Sequence, residues 1–148
     1  MKKKWHIRKA VQDDSIHLQH CMGSAYASYQ GRMGGKRLPP MDVDYSVEIR
    51  DYPTWVTELD GNIVGGLIMM FENEYASIAN VAIHPGFQGQ GIGGGLMKFA
   101  ETVAKEENYS ELRLATHVLL TENVSLYLHL GWTEIDRDDV RVYMKKDI

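Results

Sequence analysis

NVAIHPGFQGQGIGGGLMKFA, residues 80–100, is the stretch whose reading decides the fold. An apolar run stops at His84-Pro85, five glycines fall between Gly89 and Gly95, and an amphipathic helical pattern follows at once. The first N–H groups of a helix lack intrahelical partners, and the aligned peptide dipoles place roughly half a positive charge at that end. Glycine lets backbone approach an anion closely and adopt positive φ with no side chain in the way. Phosphate or pyrophosphate therefore suits the segment QGQGIGGG, whereas one or two glycines would serve to reverse the chain.

Gly89, Gly91 and Gly94 satisfy the letters of the dinucleotide pattern G-x-G-x-x-G. That pattern belongs directly after the first strand of a parallel sheet and expects an acidic residue about 20 positions on. Here a Pro-containing loop separates strand from glycines, the next strand ends in Thr116-His117, and too little chain follows to complete such a sheet. The phosphate-binding loop pattern also fails, because no G-x-x-x-x-G is followed by Lys and then Ser or Thr.

Working outward, Ile92, Leu96, Phe99 and Val103 recur at helical spacing to about Asn108. ELRLATH then reads as a strand, TENVSLYLHLGW as a helix closed by Gly131, and TEID with VRVYMKK as a closing strand pair. Upstream, TWVTELDGNIVGGLIMMF holds two strand-like runs around Asp60-Gly61-Asn62, a tight-hairpin signal. A second turn at Glu72-Asn73-Glu74 makes residues 54–83 a three-stranded antiparallel meander. Residues 5–10 alternate as a strand, and a helix follows with Ile16, Leu18, Met22 and Ala25 as its expected buried face. GRMGGKRLPP, residues 31–40, reads as a mobile loop, and a short helix is expected within MDVDYSVEIR. The order is strand, two helices, three strands, helix, strand, helix, two strands.

The chain has 148 residues, the usual size of one domain, and we expect residues 1–148 to form a single domain. Apolar residues make up 44% and charged ones 24%, as in an ordinary globular protein. A net charge of -4 gives no nucleic-acid footprint. No apolar signal region follows the basic start MKKKWHIRKA, and no run approaches a membrane span, so a cytoplasmic protein without membrane partner is expected. Cys21 is the only cysteine; with no motif around it, it reads as a small packing residue.

Gln88-Gly89-Gln90-Gly91-Ile92-Gly93 fits the Q/R-x-x-G-x-G/A signature of the GCN5-related N-acetyltransferases, the GNAT family, and VAIHPGFQGQGIGGGLM resembles their strand, loop and helix. ENVSLYLHLGW resembles their later Tyr-x-x-x-Gly-aromatic segment, with Tyr127, Gly131 and Trp132 in place. The element order is similar over essentially the whole chain. The resemblance implies an α/β (α+β) fold: a mixed, mostly antiparallel central sheet of six to seven strands flanked by about four helices. It also implies a sheet that splays between its fourth and fifth strands, here near residues 75–83 and 111–116.

The implied activity is acetyl transfer from acetyl-coenzyme A, as cosubstrate and with no metal, to a primary amine. By resemblance, amides of Gln88, Gly89, Gln90, Gly91, Ile92, Gly93 and Gly94 hold the pyrophosphate. Backbone of Val81, Ala82 and Ile83 pairs with the pantetheine arm like an added strand. Tyr127 matches the tyrosine that hydrogen-bonds the leaving sulfur and serves as general acid. With free pKa values near 10 and 8.5, full proton transfer is uphill by about 2 kcal/mol, so the proton is expected to move late.

Two positions depart from the pattern. Where several relatives carry a glutamate four residues before the position of Val81, this chain has Ser77, leaving His117, Glu72, Glu74, Tyr26 or Asp44 as candidate bases. Leu120 replaces an asparagine seven residues before the tyrosine; Asn123 either substitutes for it at the cofactor or caps the helix with Thr121. The family's acceptor pocket corresponds to residues 15–50, which mix Asp42, Asp44 and Glu48 with Arg32, Lys36 and Arg37, and with Tyr26, Tyr29 and Tyr45. The acidic groups would attract a cationic amine; the basic ones would hold an acceptor carboxylate or the cofactor 3'-phosphate. A small-molecule amine is expected rather than a protein tail. A noncatalytic acyl-coenzyme A sensor is the alternative, with a nucleotide-binding oxidoreductase subunit as a third reading. A homodimer through an exposed edge strand at residues 140–145 is a further expectation.

Overall fold

The computed structural model describes residues 5–148, so Met1 to Lys4 of the basic start lie outside the described residues. The chain runs through β1 (His6–Lys9), α1 (Ser15–Ala27), α2 (Tyr45–Asp51), β2 (Thr54–Leu59), β3 (Asn62–Phe71), β4 (Ala76–Ile83), α3 (Ile92–Glu106), β5 (Glu111–His117), α4 (Thr121–His129), β6 (Thr133–Arg137) and β7 (Arg141–Asp147). One sheet of order β1-β2-β3-β4-β5-β7-β6 carries them, and only the β4–β5 pair is parallel. This is the expected mixed, mostly antiparallel sheet with four α-helices.

Local chemistry sets the register of the meander. Asp60 at φ 51° and Gly61 at φ 79° put both central residues of the β2–β3 turn in the left-handed region, which matches the twist of a two-residue hairpin. Leu59 then faces Asn62, and Thr54 faces Ile68. Further along β3, Gly66 lets α1 press onto the sheet, since a Cβ there would fall 2.5 Å from Leu18 Cδ1 and 2.8 Å from Met22 Cε.

Each face of the sheet is covered. α1 and α2 close a core of Leu18, Met22, Tyr45, Val56 and Ile68. A larger core includes Leu67, Met69, Leu96, Leu112, Tyr127, Trp132 and Met144, contributed by the strands, α3 and α4. Leu18, Cys21, Met22 and Ala25 are the buried residues of α1, whereas Ile16 is 68% exposed. Two residues span about 200° around a helix, so Ile16 points away from the face that holds Leu18. Cys21 is buried, and desolvation pushes its thiol up to about 11, which keeps it protonated and inert at neutral pH.

The edge-strand expectation needs correction. β7 is hydrogen-bonded to β5 on one side and β6 on the other, so residues 140–145 do not form an edge, and that end of the sheet is closed by β6. In the loop of residues 31–40, one-turn 3-10 segments cover Gln30–Met33 and reach Pro39–Met41, with Gly34 and Gly35 at positive φ between them.

Candidate functional site

Parallel pairing between β4 and β5 covers only Ala76 with Leu112, Ser77 with Arg113 and Ile78 with Leu114. Beyond Ile78 the two strands part. On its other side β4 stays paired, Val81 with Leu67, Ala82 with Gly66 and Ile83 with Gly65. One edge of residues 79–83 therefore presents N–H and C=O groups with no strand partner, the condition for an extended amide chain to add itself to the sheet.

Two cavities open at this split, of about 630 and 560 Å³, a size that suits small molecules. The first runs along β4 to the glycine loop and is lined by Val81, Ala82, Ile83, Gln88, Gly89, Gly91, Ile92, Gly93, Gly94, Asn123 and Tyr127, among others. Gln90 lies outside that lining. The second lies under the 30–40 loop, between β4 and β5. Tyr26, Arg32, Val81, Asn123 and Tyr127 belong to the walls of both cavities, so they meet there.

At the far end of the first cavity, Gly91 precedes α3 at φ 81° and Gly89 sits at φ 80°. The Gly95 N–H bonds the Gly91 carbonyl at 3.0 Å as the first turn of α3 closes, so the earlier amides are left to face an anion. An added Cβ on Gly94 meets nothing within 4 Å, whereas one on Gly95 would fall 2.5 Å from Trp5 Cη2. The Trp5 Nε1–H donates to the Gln90 carbonyl at 3.3 Å. Trp5 thus buttresses the glycine turn from behind, a role its place in an alternating strand pattern did not announce.

Tyr127 is 8% exposed at the junction, its ring 6.1 Å from that of Trp132. Its hydroxyl makes no hydrogen bond among the described residues. Burial, reinforced by Tyr29, pushes the phenol up to about 12, so it holds its proton at neutral pH and remains a donor. Beside it, Tyr26 donates to Asn80 Oδ1 at 2.8 Å, Asn80 Nδ2 donates to the Tyr45 hydroxyl at 3.2 Å, and Tyr45 donates to the Pro40 carbonyl at 2.6 Å. This chain fixes the side chain of Asn80 and ties α1 and α2 to β4. Sequence spacing gave no sign of it, because its members lie on three separate elements.

The candidate bases are scattered. Tyr26 lines both cavities, but burial drives its pKa far above the ordinary tyrosine range, and its proton is committed to Asn80. Asp44 caps α2, accepting from the Ser46 N–H at 3.0 Å and its hydroxyl at 2.6 Å. Glu72 and Glu74 flank the β3–β4 turn and line neither cavity. His117 does line the second cavity, where its Nδ1 accepts the Leu119 N–H at 3.1 Å. A neutral imidazole so engaged carries its proton on Nε2 and is a donor there. Asn123 and Thr121 make no capping bond; Leu120 occupies the N-cap position. Among the described residues, the only carboxylate lining either cavity is Glu122, and it is paired with Arg32 at 2.5 Å.

A splayed β4–β5 pair, a glycine turn opening a helix, and a tyrosine at the junction are the features that the GNAT resemblance implies. The model of the acetyltransferase (GNAT) family matches residues 24–132, more than half of the sequence, and the chain belongs to that family. It is similar to an uncharacterized N-acetyltransferase, YjgM, of Escherichia coli (strain K12), 29% identical over 103 residues that cover 66% of this chain. The match spans 62% of that relative's length, less than two thirds. Among solved structures, the PaiA N-acetyltransferase of Thermoplasma acidophilum in complex with coenzyme A superposes with a TM-score of 0.85 at 19% identity, covering 98% of this chain and 99% of that one. The ribosomal-protein-S18-alanine N-acetyltransferase of Escherichia coli gives 0.79 at 17% identity, with 97% and 94% covered. At these identities the two structures share the fold.

Among the described residues, no helix is long and apolar enough to cross a membrane, and no group of three His, Cys, Asp or Glu is placed to hold a metal ion.

Proposed function

We propose that this chain transfers the acetyl group of acetyl-coenzyme A directly to the primary amine of a small molecule. The observation that carries the reading is the meeting of the two cavities at Tyr127, a largely buried residue whose hydroxyl stays accessible and makes no hydrogen bond among the described residues. Coenzyme A fits the first cavity: positive-φ glycines and free first-turn amides suit a pyrophosphate, and the open edge of Val81, Ala82 and Ile83 suits an amide-rich arm. Gln88 to Gly94 would hold the phosphates by backbone amides, and Asn123 would reach the pantetheine.

Tyr127 points to a donor role toward developing negative charge on the leaving sulfur. With its phenol near 12 and an ordinary thiol near 8.5, full proton transfer is uphill by roughly 5 kcal/mol. Its contribution is therefore a hydrogen bond that strengthens as charge develops, with the proton delivered late.

An acceptor ammonium must lose a proton first, and no free carboxylate lines the junction to take it. The second cavity instead disfavours the cation: of its four Lys and Arg, Lys36 and Arg141 are paired with no carboxylate among the described residues. Like charge lowers the pKa of a bound ammonium, so the neutral amine is favoured and its proton leaves through water. The same lack of a base favours a second reading, a noncatalytic acyl-coenzyme A sensor.

Thiol release from acetyl-coenzyme A, measured over a panel of amines with wild type and Tyr127→Phe, tests the proposal. The variant is expected to turn over about 10- to 1000-fold more slowly with coenzyme A affinity retained. Equal rates would remove Tyr127 from the mechanism, and coenzyme A binding without turnover of any amine would favour the sensor.

A further inference from the structure

The second cavity has a charge pattern at odds with the rest of the protein. Overall, 20 acidic residues outnumber 16 Lys and Arg, yet among the described residues four Lys and Arg line this cavity and no Asp or Glu does. Arg32 is committed to Glu122 and Arg37 to Asp42, at 2.5 and 2.8 Å. Lys36 and Arg141 pair with no carboxylate among the described residues. Both are exposed and so stand at the rim, one on the 30–40 loop and the other at the start of β7. His117, with Nδ1 occupied by the Leu119 N–H, adds a donor in the same wall.

Leu38, Leu114, Leu119, Leu120 and Val140 give the cavity its apolar walls. The cavity thus combines Tyr127, these apolar side chains, and the exposed Lys36 and Arg141, whose side chains form no ion pair among the described residues although Asp138 accepts from the Arg141 backbone N–H. Resting on the acetyltransferase reading above, we propose that the acceptor is an amine that also bears a carboxylate, an amino acid or amino-acid-like metabolite, and not a polyamine. The amine reaches Tyr127 while the carboxylate is held by Lys36 and Arg141, with the His117 Nε2–H as a further donor. The cofactor phosphates do not account for these cations, because Lys36, Arg37 and Arg141 line only the cavity on the far side of the junction from the glycine turn. A polycation would meet the same groups as repulsion. Arginine and lysine at a rim are suited to a carboxylate, and a charge-assisted hydrogen bond is the strong kind.

Binding of product analogues tests this without requiring catalysis. Protein saturated with coenzyme A is titrated calorimetrically with N-acetyl amino acids of apolar side chain, each paired with its carboxamide, and with N-acetylspermidine. At least one acid is expected to bind about 10- to 100-fold more tightly than its amide, a preference that weakens with salt and disappears in a Lys36→Gln, Arg141→Gln double variant. Both side chains are exposed, so the variant should fold, and unchanged coenzyme A affinity verifies that it has. Amides that bind as well as acids throughout, tighter binding of N-acetylspermidine, or no acid binding in protein that still takes coenzyme A would each overturn the proposal. Acid preference without acetylation of any amine would leave the anion site standing and remove the catalytic reading. Acetylation of polyamines alone would do the reverse.

Discussion

Replacing Gly94 by alanine should raise stability and lower cofactor affinity together. Gly94 lies in the first turn of α3 without a positive φ, and a Cβ there meets no atom within 4 Å. The only folded-state change is then helix propensity, where alanine exceeds glycine by up to about 1 kcal/mol, and less near a helix end. For a chain of this size each kcal/mol moves Tm by roughly 2–4 °C, so a rise of about 1–4 °C is expected by calorimetry. That open space is part of the groove assigned to coenzyme A. A methyl group there would hold a phosphate off the first-turn amides, and losing one charge-assisted hydrogen bond corresponds to about 10- to 100-fold in Kd. Titration of wild type and variant with coenzyme A measures it. A variant that loses stability, or one that binds coenzyme A within about twofold of wild type, would refute the reasoning.

Gly95→Ala has the same propensity gain and the opposite expected outcome. Its Cβ would sit 2.5 Å from Trp5 Cη2, and overpacking against a rigid indole costs about 1–3 kcal/mol, so Tm should fall. Asp14 accepts from the Arg8 guanidinium at 2.8 and 2.9 Å and from the Val11 N–H at 2.8 Å, which holds its carboxyl below the usual range. A depressed folded pKa contributes stability that is present above the unfolded value of about 3.9 and lost as pH falls through the folded one. Asp14→Asn should therefore destabilise the protein at neutral pH and flatten the acid limb of a Tm against pH curve; an unchanged limb would discount the pair.

Legibility in the sequence followed the range of the physics. Local signals were sufficient for the Asp60-Gly61 hairpin, the helix after the glycines and the Gly131 stop, because turn chemistry and 3.6-residue periodicity act over a few residues. Ile16 was misplaced because an apolar residue near a helix start was counted on a face that the helical rotation excludes. The interior position of β7 depends on pairing with β5, a contact that no local pattern encodes. Gly89, Gly91, Ile92, Gly93, Gly94 and Tyr127 were singled out by a motif and its resemblance, and they line one groove, with Gln90 outside it. Trp5 and the Tyr26–Asn80–Tyr45 chain were missed, since each acts across elements far apart in sequence.

The most direct test is to incubate the protein with acetyl-coenzyme A labelled in its acetyl group and a panel of amines, following free thiol and label by mass spectrometry. Label recovered on an amine nitrogen, in step with thiol release and slowed in Tyr127→Phe, is the predicted result. Thiol release with label appearing only as acetate, or coenzyme A binding with no label transferred to any amine, would contradict the account.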